Sequence, residues 1–135
     1  MASKHTTASP INPFASAART ATPTPFSLTN TGNANGVSVT LNVTAASGTG
    51  GLTVHLQWVD PQGLLVVDLF VAPVAVKAVG TYSYNFGSTV AFNGTTDFYG
   101  SLPIGHLQVQ VVHGDASSYT YSVTGFLIGN NSAEV

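Results

Sequence analysis

From residue 26 onward, apolar and polar residues alternate with a period of two along most of the chain. Val37, Val39, Leu41 and Val43 alternate with Ser38, Thr40, Asn42 and Thr44. Successive side chains of an extended chain point to opposite sides, so this pattern predicts a strand with one buried and one hydrated face. Leu52, Val54, Leu56 and Trp58 alternate with Thr53, His55 and Gln57 in the same way. Residues 64–71, apolar but for Asp68, are too short a run and too near Pro73 for a good helix, and read as another strand. Gly80 opens a segment with Tyr82, Tyr84 and Phe86 on one face. Leu107, Val109 and Val111 then alternate with His106, Gln108 and Gln110. Tyr119, Tyr121, Val123, Gly125 and Leu127 alternate with Thr120, Ser122, Thr124 and Phe126.

The segments between these runs are turns by composition. Residues 46–51 are Ala-Ser-Gly-Thr-Gly-Gly and read as a flexible inter-strand loop. Asp60-Pro61-Gln62-Gly63 has proline at the second and glycine at the fourth position of a β-turn. Residues 113–118 form a hairpin loop, and residues 87–105 are looser, anchored by Val90, Phe92, Phe98 and Tyr99. No window carries a clean 3.6-residue apolar repeat. The prediction is an all-β fold of six to eight antiparallel strands, packed as an Ig-like or jelly-roll sandwich.

Residues 1–25 differ from the rest. They are small and polar, with Pro10, Pro13, Pro23 and Pro25, and proline removes a backbone donor that a central strand needs. They are expected to form an extended N-terminal arm, with an edge strand near residues 17–22, or a plain disordered terminus. The sandwich domain is then 26–129, followed by a flexible tail at 130–135.

Composition sharpens this picture. Only 6% of the 135 residues are charged, where an ordinary soluble domain has about 25%. Three Lys and Arg cannot supply the roughly six to ten phosphate contacts of a duplex-DNA binder. No basic patch exists for a lipid surface either, so neither nucleic acid nor membrane is an expected partner. The chain has no cysteine, which removes disulfides and thiolate metal sites. The longest apolar stretch, residues 64–79, is interrupted by Asp68, Pro73 and Lys77 and falls short of the ~20 residues of a membrane helix.

The catalytic inventory is thin. His55, His106 and His113, with Asp60, Asp68, Asp97 and Asp115, could formally supply a Ser-His-Asp set, but no G-x-S-x-G elbow is present. The acidic residues are scattered, and nothing in their spacing favours a carboxylate pair across a cleft. His113-Gly114-Asp115 could hold a cation, although Asp in a turn more commonly caps nearby backbone N–H groups. No phosphate-binding glycine loop occurs. No enzyme activity, metal or cofactor is therefore expected. If His55, Gln57, His106, Gln108 and Gln110 share a face, they form a neutral polar surface suited to packing on another protein. The alternating aromatics read as sandwich core, with an exposed glycan-contacting row as the other possibility.

Several motifs, taken in order, carry a resemblance. Residues 41–54, with the run Thr44-Ala45-Ala46-Ser47-Gly48-Thr49-Gly50-Gly51, resemble a segment that recurs in small structural proteins of tailed bacteriophages. Ser16-Ala17-Ala18-Arg19-Thr20 upstream, Gly80-Thr81-Tyr82-Ser83-Tyr84, and the hairpin of residues 111–123 are similar to further motifs of that family. The chain departs from the pattern at residues 60–70 and 91–100. The resemblance spans most of residues 16–128 and implies a head decoration, or minor capsid, protein.

It implies a non-enzymatic virion protein on the outer capsid surface, made in the host cytoplasm. Its partners would be the major capsid protein and other copies of itself, as a homotrimer. The expected contacts are Phe14, Arg19, Pro23 and Pro25 of the arm with His113 and Asp115 of the hairpin. On this reading, deleting residues 1–25 abolishes capsid binding and leaves the domain folded. A tail-tube or tail-terminator subunit, and an Ig-like adhesin module binding host surface glycans, are the alternatives.

Overall fold

The computed structural model describes residues 2–30, 34–87, 97–98 and 102–134, which form nine strands and no helix. The strands are β1 (Ala2–Arg19), β2 (Phe26–Asn30), β3 (Ala34–Ala46), β4 (Leu52–Val59), β5 (Val66–Val71), β6 (Gly80–Gly87), β7 (Asp97–Phe98), β8 (Gly105–His113) and β9 (Tyr119–Glu134). β7 is a two-residue strand parallel to β6.

The other eight strands pair as one long nested hairpin. β4 joins β5, β3 joins β6, β2 joins β8 and β1 joins β9, all antiparallel. Two further pairings, β3 with β9 and β4 with β8, roll this hairpin over itself. The result is two packed sheets of four antiparallel strands, ordered β1-β9-β3-β6 and β2-β8-β4-β5, with β7 added beside β6. The expected all-β sandwich is present, and nested pairing of this kind is jelly-roll topology.

The core lies where the period-two pattern places it. Leu41, Leu52, Leu107, Val111, Tyr119, Tyr121 and Val123 are fully buried between the sheets. Tyr84 is also buried and lies 6.0 Å, ring to ring, from Phe70. The aromatic rows are therefore core. Of the anchors expected in the looser segment, Val90, Phe92 and Tyr99 lie outside the described residues.

The N-terminal segment differs from the expectation. It is extended, yet it is paired with β9 from Ala2↔Glu134 to Arg19↔Tyr119. Its strand covers residues 2–19, not 17–22, and it buries Phe14 in the core. The prolines fit because β1 is an edge strand, and because register shifts at Ile11/Phe14 and Phe14/Ala17 break the ladder beside Pro10 and Pro13. Residues 130–134, expected as a flexible tail, are the end of β9 opposite the start of β1.

Four connections meet at one end of the sandwich. Thr22 Oγ1, between β1 and β2, accepts the His113 N–H at 2.9 Å. The Gly114 N–H, in the β8–β9 turn, donates to the Gly51 carbonyl at 2.9 Å. Leu52 exchanges both backbone hydrogen bonds with Val76, in the connection after β5. The Asp60 turn is at the opposite end, where the Asp60 carboxylate accepts the Leu64 and Leu65 N–H groups at 2.6 and 2.8 Å.

Candidate interaction surfaces

The four-loop end gathers most of the residues expected to make contacts. The loop of residues 47–51, expected to be flexible, is docked on the β8–β9 turn. Added Cβ atoms on Gly50 and Gly114 would each strike the other loop's backbone, so only glycine allows this approach. Asp115 Oδ2 accepts the Gly50 and Thr49 N–H groups at 2.7 and 3.2 Å. Its Oδ1 accepts the Ser117 N–H at 3.1 Å and the Tyr119 hydroxyl at 3.0 Å. The Tyr119 hydroxyl in turn accepts the Gly51 N–H at 2.9 Å. Asp115 thus acts as a backbone cap. The Gly50 N–H above all, with the Tyr119 hydroxyl and the Ser117 and Thr49 N–H groups, holds its pKa below the ordinary carboxylate value.

Arg19 is likewise used within the chain. Its guanidinium lies 4.5 Å from the centre of the Tyr121 ring and 5.6 Å from that of Phe14. It donates to the Tyr121, Ala15 and Ala17 carbonyls at 2.8, 2.6 and 3.2 Å. It pins the irregular half of β1 onto β9. The sequence alone gave no sign of this stacking. Pro23 and Pro25 lie half-buried in the crossing from β1 to β2. Phe14, Arg19, His113 and Asp115 therefore come together through the Tyr119 and Tyr121 rings, while the two prolines only lead the chain to the other sheet.

His113 packs edge-on to Tyr119 and its Nε2 lies 2.9 Å from the Tyr121 hydroxyl. Its Nδ1 is buried with no hydrogen-bond partner among the described residues. Burial first, then the Arg19 charge, pushes its pKa below the ordinary value, with Asp115 opposing. The unfolded chain therefore binds a proton here that the folded chain resists. The stability contributed by neutral His113 is complete above its unfolded pKa of about 6.5. It is lost as pH falls through the lower folded value. Asp115 and Asp68 are both held below 3.8, so their contributions persist at pH 5 and fade only under more acid conditions. Urea midpoints measured between pH 7.5 and 5 should fall for the wild type and stay flatter for His113→Gln. Equal slopes would contradict this account of the His113 site.

Where their side chains are described, both outer sheet faces are mostly polar, with Phe126 on the first and Val66 and Val71 on the second as exposed apolar exceptions. On the first sheet, Thr40 lies beside Ser83 and Thr124, and Asn42 beside Thr81 and Ser122. On the second, Ser27, Gln108, Gln57 and Asp68 form one row across all four strands. Gln108 Nε2 donates to Gln57 Oε1 at 2.6 Å, and Gln57 Nε2 to Asp68 Oδ1 at 2.8 Å. His55 Nδ1 lies 3.1 Å from the same carboxylate oxygen. The Gln57 hydrogen bond, then that of His55, holds the Asp68 pKa below its ordinary value. The His55–Asp68 pair makes no hydrogen bond to a serine, threonine or tyrosine hydroxyl among the described residues. No group of three metal-ligating side chains occurs among them either.

The remaining surface feature is apolar. Leu64, Leu65, Val66, Val67, Val71, Val74 and Val79 are exposed large side chains, with Leu64 at 76% and Val74 at 74%. They follow β5, an edge strand, from the Asp60 turn to the connection into β6. The signal for this surface in the sequence is an apolar run that does not alternate, unlike β3, β4, β6, β8 and β9.

No family model matches the sequence, and no curated protein matches it.

Proposed function

We propose that this chain is a non-enzymatic structural protein of a tailed-phage virion, a decoration or cement protein on the outside of the assembled head. Its partner is the major capsid protein, and its role is to stabilise the shell. The observation that carries this reading is the chemistry of the outer faces. Hydroxyl and amide side chains predominate on the outer faces of β3, β6 and β8, and Asp68 is the one charged residue on the outer faces among those whose side chains are described. Such faces are hydrated in the free protein and cost less to desolvate than ions do.

The polar groups with most chemical potential are already engaged inside the chain: Asp115 with backbone N–H groups, Arg19 with carbonyls and rings, and Asp68 with Gln57 and His55. The jelly roll is used by viral capsid proteins, and by lectins and cupins as well. The fold is thus compatible with the reading. An element suited to reaching a neighbouring subunit is the ribbon formed by residues 2–6 with 130–134, which continues past the end of β3. Binding the assembled shell alone stabilises that shell by mass action. Burial of Tyr84, Tyr119 and Tyr121, with Tyr82 and Phe86 half-buried, favours a core role for these rows over a glycan-contacting one.

Pelleting with phage heads that lack a decoration protein tests the proposal. The chain should co-sediment to a saturating ratio that follows the number of capsid sites. A chain that stays in the supernatant at all ratios, or forms rings or tubes alone in negative stain, would overturn it.

A further inference from the structure

The described sheet edges are not protected equally. An exposed edge strand invites pairing with another chain, and proteins usually guard such edges with proline, lysine, bulges or short length. β1 has Pro10, Pro13 and two register shifts. β2 has five residues and follows Pro23 and Pro25. β7 has two residues. β5 carries neither proline nor lysine within its six residues, and has one register shift, between Asp68 and Phe70. Its one charge, Asp68, is drawn back over the sheet by Gln57 and His55. Exposed leucines and valines flank the strand at both ends.

We propose that β5 is a self-association edge. Two copies pair β5 to β5, antiparallel across a two-fold axis, and join their four-stranded sheets into one continuous sheet. The charges at the ends of the strip favour a second copy in this orientation. Asp60 lies at the Val59 end of β4, whereas Lys77 follows Val76, which pairs with Leu52 at the other end. An antiparallel two-fold brings Lys77 of each copy to the Asp60 end of the other, so the strip complements itself in charge. Leu64, Leu65, Val74 and Val79 are then covered by the same residues of the second copy. A contact of this kind is isologous and closes at two subunits. It does not rest on the capsid reading and holds whatever else the chain binds.

Sedimentation equilibrium of the full chain tests this, because the 13.8 kDa mass makes monomer, dimer and trimer easy to separate. The wild type should run as a dimer at micromolar concentration. Val66→Lys combined with Val71→Lys should run as a monomer with unchanged circular dichroism. Leu64→Gln with Leu65→Gln, which lies outside the strand, is the second variant and should also weaken the dimer if the lysines disturb folding. Lys77→Glu should weaken it by about three- to tenfold, the scale of exposed ion pairs. A wild type that stays monomeric, or an oligomer, including a trimer, that both double variants leave intact, would overturn the proposal.

Discussion

A chain lacking residues 1–25 is expected not to fold. β1 runs beside β9 along its whole length, so the deletion strips one side of a central strand. It removes Phe14 from the core and Ile11 from its margin. It also removes Arg19 from the Tyr121 ring and carbonyl. Loss of a buried phenylalanine side chain alone costs about 3–5 kcal/mol. A domain of this size has about 5–15 kcal/mol in total. Losing the paired strand as well exceeds what remains at the lower end of that range. The truncated chain should lack a cooperative thermal transition and dispersed amide resonances, or should pellet on expression. Removal of residues 1–6 should be tolerated, because they pair only with residues 130–134, beyond the end of β3. A cooperative melt close to that of the full chain after removal of 1–25 would show that β1 is dispensable. That was the expectation from sequence, where these residues read as an arm.

The second large effect is expected at Gly125. It lies in β9 opposite Val39 of β3 and Ile11 of β1, with its missing side chain on the buried side of the strand. A Cβ there would strike the Ser38 carbonyl oxygen and approach the Val39 Cα to 3.0 Å. Both atoms are backbone of a neighbouring strand and cannot rotate away. Overpacking a core usually costs about 1–3 kcal/mol, occasionally more. Gly125→Val, with a branched side chain against fixed backbone, belongs at about 3 kcal/mol or above. The urea midpoint reports it directly. Gly63→Ala is a useful contrast: it has no atom within 4 Å but a φ of +73°, so it carries only the local strain of a left-handed residue. A Gly125→Val protein no less stable than Gly63→Ala would contradict the close approach of β3 and β9.

These two sites show what could be read in the sequence. Positions 37, 39, 41 and 43, 52, 54 and 56, 107, 109 and 111, and 119, 121 and 123 were legible as buried rows. Half-buried sheets impose a period of two, and all of these residues are in the core. β1 was not legible for the converse reason. Its inward residues Ile11 and Phe14 are three apart across a register shift, so no period survives. Pairing was legible at the Asp60 turn, which joins the paired β4 and β5, but residues 113–118, expected as a hairpin loop, instead cross from β8 in one sheet to β9 in the other, and β1 meets β9 and β2 meets β8 across nearly the full chain.

The loop cluster was legible in part. Asp115 was expected as a turn cap, and it caps its own turn at Ser117. That it also holds the Thr49 and Gly50 N–H groups, more than sixty residues away, required the fold. The exposed strip along β5 was legible only as an apolar run that does not alternate.

On the proposed function, this low-charge surface is covered by subunits of a virion. Cryo-electron microscopy of tailed-phage virions assembled in the presence of the chain tests this most directly. The proposed function predicts jelly-roll density, fitted by the two sheets described above, on the outer face of the head at positions bridging major capsid subunits. Density for this fold in the tail tube alone, or in no part of the particle, would contradict it.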